Sequence, residues 1–296
     1  MPRPLRWIRN VLVIHGVLGL AAYIQFLITG NYDLISWYFS QLGLFFLVGM
    51  AAAEMYFAWL SRAQFDRDEP LHRTWTLIFL AATARLVGNL IGYSVVTNGL
   101  WLFSRWPGVS LQEGQASWHQ FGLAVAGPVA MAFYAAGLWR ALSLKRKFRF
   151  LGPLALSDKL LIAVVCIFTA RELFEIATLL IRHFHPSVGL MVLWFSDPLL
   201  AVLLIQAVMI RRSVLSMGGG LVAQCWGAIV VATVTVSIGD VALWADGKGL
   251  LPRWLAPWGW YVWFFAAAAY ATAPVYQVYA VWHAQGRTAL TKQISR

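Results

Sequence analysis

Between Ile167 and Ile181 an apolar run long enough to cross a bilayer is interrupted by Arg171, Glu172 and Glu175. A charge at membrane depth costs at least about 2.5–3.5 kcal/mol even on the lenient insertion scale, so three together require partners. Arg171 and Glu175 stand one helical turn apart on one face and can neutralise each other. Glu172 points roughly 100° away and must look elsewhere, to another helix, a water or a ligand. The same residue types recur at depth in other apolar runs: Arg85 with Asn89, Asp197 ahead of Pro198, and Asp240. Arginines so placed attract an anionic or strongly polar headgroup; carboxylates exchange protons or answer the arginines. Arg85, Asn89, Arg171, Glu172, Glu175, Asp197 and Asp240 are therefore the candidate ligand-binding residues. The plainer reading is a set of buried ion pairs that fix helix register without adding stability.

Other chemistry is less well supplied. His119, His183 and His185 fall on one side of the membrane and form the candidate metal set, against the ordinary explanation of interfacial histidines. His15 sits at a different depth from His119, which opposes a haem held between the two, and a single His15 ligand is the remaining haem option. There is no P-loop, GxSxG, HExxH or dinucleotide-binding glycine motif. No catalytic residue and no cofactor are assigned, and the expectation leans away from an enzyme. Cys166 and Cys225 both lie in apolar runs and read as small buried hydrophobes rather than a disulfide.

What must position these residues is a membrane bundle. The chain of 296 residues is 60% hydrophobic and only 12% charged, where a soluble domain carries about 25% charge. Continuous apolar runs near the roughly 20 residues that span hydrocarbon recur along the chain, and they lack the alternation of a β-barrel. The fold class is all-α: a polytopic membrane bundle of about eight transmembrane helices. Arg3, Arg6 and Arg9 precede a first run without a small-residue cleavage site, so it reads as a retained span rather than a signal peptide. The net charge of +11 would suit nucleic acid, but its distribution argues for topology instead. Most Lys and Arg fall at the N-terminus, in alternate loops and in the C-terminal tail. The opposite loops hold only Arg105, Arg182, Lys248 and Arg253. The positive-inside rule then puts both termini in the cytoplasm, of the inner (plasma) membrane if the source is bacterial. The run Lys145–Arg149 suits anionic lipid headgroups.

The chain also rhymes with itself. Thr83-Ala-Arg-Leu-Val-Gly-Asn89 parallels Thr169-Ala-Arg-Glu-Leu-Phe-Glu175, and Leu138-Trp-Arg-Ala141 parallels Val281-Trp-His-Ala284. Residues 1–148 and 149–296 are accordingly expected to be two four-helix halves in parallel orientation, as in some transporters. Gln25, Asn89, Glu175 and Asp240 would form a polar ring, with Arg85, Arg171 and Asp197 close by. Glu54, near the end of the second span, is expected to reach the interface. Gly127-Pro128 and Asp197-Pro198 are expected weak points in their helices.

The functional expectation is an integral membrane protein, transporter-like or receptor-like. It would bind an amphiphilic or lipid-like ligand in a polar pocket, with aromatics of spans two, six and eight holding the apolar tail. The rival is a non-catalytic scaffold or cofactor-holding subunit of a larger membrane complex, in which membrane proteins or a second copy would be partners. A membrane enzyme acting on lipid or quinone ranks third. Nucleic acid is not an expected partner.

Overall fold

In an apolar medium only a helix satisfies every backbone N–H and C=O within its own segment, so uninterrupted apolar runs become long helices. The computed structural model describes residues 3–31, 33–97, 118–147, 153–183, 188–216, 218–247, 249–252, 254–255 and 258–294. All regular structure among them is helical: α1 (Arg3–Thr29), α2 (Asp33–Trp37), α3 (Leu44–Ala63), α4 (Pro70–Thr97), α5 (Trp118–Lys147), α6 (Leu156–His183), α7 (Val188–Ser216), α8 (Leu221–Gly247) and α9 (Trp258–Ile294). Among the described residues six stretches are long and apolar enough to cross a membrane: Arg3–Thr29, Gln41–Ala63, Pro70–Ile91, Val125–Leu144, Pro198–Ser216 and Leu221–Ala242.

α2 and α3 form one continuous rod, joined by the π-helical turn Tyr38–Gly43. Such turns hold one residue too many for the α-helical ladder and often mark functional sites. Pro128 and Pro198 do not break their helices: α5 and α7 stay helical through both positions. Between α7 and α8 the backbone of Gly218, Gly219 and Gly220 takes φ of +105°, +74° and +79°. Three successive left-handed residues are open only to glycine at low cost, which is why the reversal is so short.

Neighbouring helices α3–α4, α4–α5, α7–α8 and α8–α9 pack side by side, and α5 packs on α7. α3 and α9 run in the same direction. Phe46 meets Phe264, Ser61 Oγ donates to the Pro274 carbonyl at 3.2 Å, and Gln64 Nε2 donates to the Val278 carbonyl at 3.2 Å. α1 lies antiparallel on α9, with His15 against Phe264 and the Tyr23 hydroxyl donating to the Trp254 carbonyl at 2.6 Å.

Among the described residues two apolar clusters result. One joins Trp75, Ile78, Tyr134, Leu138, Leu203, Ile210, Trp226 and Tyr270 across α4, α5, α7, α8 and α9. The other joins Tyr23, Phe26, Tyr38, Phe46, Met50, Tyr261 and Phe264 across α1, the π turn, α3 and α9. Burial on this scale in a membrane is dispersion packing more than hydrophobic drive, since lipid tails are as apolar as the core.

Candidate functional site

Among the described residues the most enclosed charge is Glu54, in the middle of α3, with none of its side chain exposed. Its Oε2 accepts from Arg85 Nη1 at 2.7 Å, and its Oε1 accepts from the Tyr134 hydroxyl of α5. The Arg85 guanidinium in turn lies over the Tyr270 ring of α9, 4.4 Å from its centroid. Tyr270 packs against Tyr134 at 5.1 Å between centroids, and its hydroxyl is 3.3 Å from Thr233 Oγ1 on α8. Four helices therefore meet at one carboxylate–guanidinium–tyrosine network, and α8 adds a hydroxyl at its edge. Both Glu54 oxygens carry a donor, as a buried carboxylate requires. Arg85 is not wholly enclosed: 19% of its side chain stays accessible.

This corrects the expectation that Glu54 reaches the interface. The Glu54 side chain is fully enclosed and both its oxygens are taken by residues of neighbouring helices, Arg85 on α4 and Tyr134 on α5. Its partner Arg85 was an expected site residue; Tyr134, Tyr270 and Thr233 were not. A buried tyrosine looks in sequence like any other apolar-run aromatic, and the one available signal was Glu54 itself, a carboxylate eight residues from the nearest basic side chain in its helix, Arg62.

The remaining expected residues divide into two places. Asn89, one turn beyond Arg85 on α4, donates from Nδ2 to the Leu47 carbonyl at 3.2 Å. Asp240 on α8 is within electrostatic reach of the Tyr270 hydroxyl, as are Arg85 and Glu54. Arg171 and Glu175 lie on α6, which packs along α7; Arg171 is exposed there and Glu175 half-buried. Gln25 donates to Thr29 Oγ1 of its own helix at 3.0 Å. The side chains of Glu172 and Asp197, and of the metal candidates His119 and His183, lie outside the described residues, as does His185 altogether. No cluster of three potential metal ligands occurs among the described residues.

A second polar centre surrounds His15 of α1. Its ring stacks on Phe46 at 4.2 Å and meets Phe264 edge-on at 4.4 Å. The Tyr38 hydroxyl, from the π turn, lies 2.8 Å from Nε2 and 2.9 Å from Nδ1 and donates to the His15 carbonyl at 2.9 Å. Tyr261 donates to the Gly19 carbonyl. Gly19 is required there, because a Cβ at that position would collide with the Tyr261 ring and come within 2.7 Å of the Tyr38 hydroxyl. Of the aromatics expected to hold an apolar tail in spans two and eight, Tyr38, Phe46 and Phe264 pack on His15 and Phe39 packs on Tyr261 and Phe264, while Phe45 and Phe265 are exposed.

At the other end of the bundle Asp158 ties α6 to α7. Arg212 donates to it through Nε, and through Nη2 at 3.0 Å. The Ala155 N–H donates to Asp158 Oδ2 at 3.0 Å, the return half of a capping box, so Asp158 closes the α6 N-terminus from inside the first turn. Burial pushes its carboxyl up. The hydrogen bonds from Arg212 and Ala155 and the charges of Arg212 and Arg211 outweigh burial and hold it below the usual carboxylate range. Near the ends of α4 and α5 a cleft of ≈ 420 Å³ is lined by Pro70, Trp139, Arg140, Ser143 and Leu144.

No known protein family, no curated protein and no solved structure matches the chain.

Proposed function

We propose that the chain is an integral membrane protein that binds an amphiphilic, anionic-headed ligand at Arg85, with Glu54 as the competing internal anion. The observation that carries this reading is the asymmetry of the pair: Glu54 is fully enclosed while Arg85 keeps 19% of its side chain accessible. A buried pair is a poor source of stability, since desolvation takes back most of the Coulombic gain. An arginine left partly open beside such a pair has donors to spare for a carboxylate or phosphate. Asn89 on the next turn of α4 and Asp240 near Tyr270 would set the headgroup's orientation. Protonation of Glu54 would release Arg85 to the ligand, so binding and proton uptake would be linked at one residue. The reading fits either a transporter or a receptor. Anionic lipid at the Arg140 cleft, continuous in sequence with Lys145–Arg149, belongs to the same proposal.

The test is native mass spectrometry of the protein in mild detergent, comparing wild type with the neutral double variant Glu54→Gln/Arg85→Gln. The expected result is a bound amphiphile of defined mass on wild type that is absent from the folded double variant. Equal occupancy on both proteins would remove Arg85 from the site.

A further inference from the structure

α4 and α5 press together at Gly137, where a Cβ would come within 3.2 Å of the Thr74 carbonyl oxygen and 3.3 Å of Ile78 Cγ1. Beyond that contact the two helices leave between them the ≈ 420 Å³ cleft lined by Pro70, Trp139, Arg140, Ser143 and Leu144. Pro70 begins the apolar stretch Pro70–Ile91 and Leu144 ends the stretch Val125–Leu144. The cleft therefore stands where two span-length stretches reach the headgroup level together. Trp139, 53% exposed at its wall, is of the residue type that favours this boundary.

The chemistry of the lining selects among headgroups. Arg140 is exposed, carries the lining's only formal charge, and takes part in no ion pair or side-chain hydrogen bond among the described residues. Its planar fork matches a phosphate in two parallel hydrogen bonds. Ser143 Oγ donates to the Trp139 carbonyl at 2.6 Å, so its hydrogen is already committed and it offers nothing to a second anionic group. No carboxylate lines the cleft, which leaves an ammonium headgroup without a counter-charge.

Below the cleft the same side of α5 is built from small residues. Ala136, Ala132 and Val129 follow at intervals of four and three from Arg140, and all are exposed. From Arg140 to Val129 the helix rises about 16 Å at 1.5 Å per residue. That is close to half of the roughly 30 Å hydrocarbon core, the depth of one leaflet. A track of this length beneath a phosphate-sized cation is what separates a lipid from a free anion.

We propose that this face binds one glycerophospholipid whose phosphodiester is its only headgroup charge, with the phosphate on Arg140 and an acyl chain along Ala136, Ala132 and Val129. The inference rests on the anionic-lipid reading of the Arg140 cleft and deepens it by naming the headgroup and the acyl track. It does not involve the Arg85 site.

The test is native mass spectrometry of the delipidated full chain in mild detergent, titrated with phosphatidylglycerol and phosphatidylcholine of identical acyl chains. The first lipid bound should be phosphatidylglycerol by about tenfold, the worth of one charge-assisted hydrogen-bonded contact. Arg140→Gln, at an exposed position, should abolish that preference, and Arg140→Lys should restore part of it. Ala136→Leu, which fills the track, should lower occupancy by both lipids. Added inorganic phosphate should displace neither. The Glu54→Gln/Arg85→Gln protein should keep the preference intact, whatever becomes of ligand binding at Arg85. Equal uptake of the two lipids by wild type would overturn the proposal, as would a preference that survives Arg140→Gln. Displacement of phosphatidylglycerol by inorganic phosphate would make the cleft an anion site without a lipid, and unchanged occupancy in Ala136→Leu would remove the track. Loss of the preference in Glu54→Gln/Arg85→Gln would place the lipid at Arg85 instead.

Discussion

Tyr134 and Tyr270 stand 5.1 Å apart, tilted by 40°, one with its hydroxyl on Glu54 and the other with its ring beneath Arg85. The two tyrosines hold opposite members of the ion pair, and this makes their substitutions separable. Tyr134→Phe strips a donor from a fully buried carboxylate oxygen and should destabilise by about 1–3 kcal/mol. Tyr270→Phe keeps the ring under the guanidinium and loses only the 3.3 Å contact with Thr233, so its cost should stay below about 1 kcal/mol. Tyr270→Leu also removes the cation–π contact and should add about 0.5–2 kcal/mol. Unfolding in detergent, read by tryptophan fluorescence, should give this order of losses; an inverted order would contradict the network.

The ion pair itself predicts a strong non-additivity. Glu54→Leu leaves Arg85 with an uncompensated charge and should cost about 3–5 kcal/mol, whereas Glu54→Leu/Arg85→Met should regain most of it. Additive losses in the double-variant cycle would mean that the two side chains do not depend on each other.

Asp158 gives a pH prediction outside the spans. Its carboxyl is held below the usual range by Arg212 and Ala155 against the pull of burial, so its contribution is complete above the unfolded-chain value. That contribution declines as pH falls below that value and is gone once pH passes the lowered folded value. Wild type should exceed Asp158→Asn by about 1.5–3 kcal/mol at neutral pH, with the gap closing only in acid. A gap that instead widened toward low pH would contradict the sign.

Orientation follows from the distribution of Lys and Arg. Single cysteines at Ser143 and Leu250, in a Cys166→Ser background, should label from opposite sides of sealed vesicles, with Ser143→Cys on the cytoplasmic side. Labelling of both from one side would rule out the alternating path of α5 to α9.

The helical class and the long apolar segments were legible because period, charge scarcity and loop composition all speak at the level of single residues. Six of those segments have the length and apolarity of spans. Environment was much harder to read. The Thr-Ala-Arg triplets at Thr83 and Thr169 predict equivalent roles for Arg85 and Arg171, yet Arg85 is turned onto Glu54 while Arg171 is exposed on α6. A helix's rotation about its axis is set by what packs on it, and no local triplet contains that. Glu54 was misjudged for a related reason: its enclosure comes from Arg85 of α4 and Tyr134 of α5, side chains that its own segment does not contain. Tyr134 and Tyr270 were invisible until a carboxylate was found beside them.

That irregular turn has a consequence for the length of the chain itself. Tyr38 and Phe46 are eight residues apart, which in a uniform α-helix would point them about 80° away from each other. The π turn between them absorbs one residue, so the effective interval is seven, two full turns, and both side chains reach His15. Tyr38–Gly43 is therefore the place in this rod where the gene could lose one codon without disturbing its reading of the neighbours. A deletion within residues 39–43 would relax the turn to ordinary helix and leave Tyr38 and Phe46 on His15, whereas a deletion within residues 44–53 would rotate Glu54 relative to the turn.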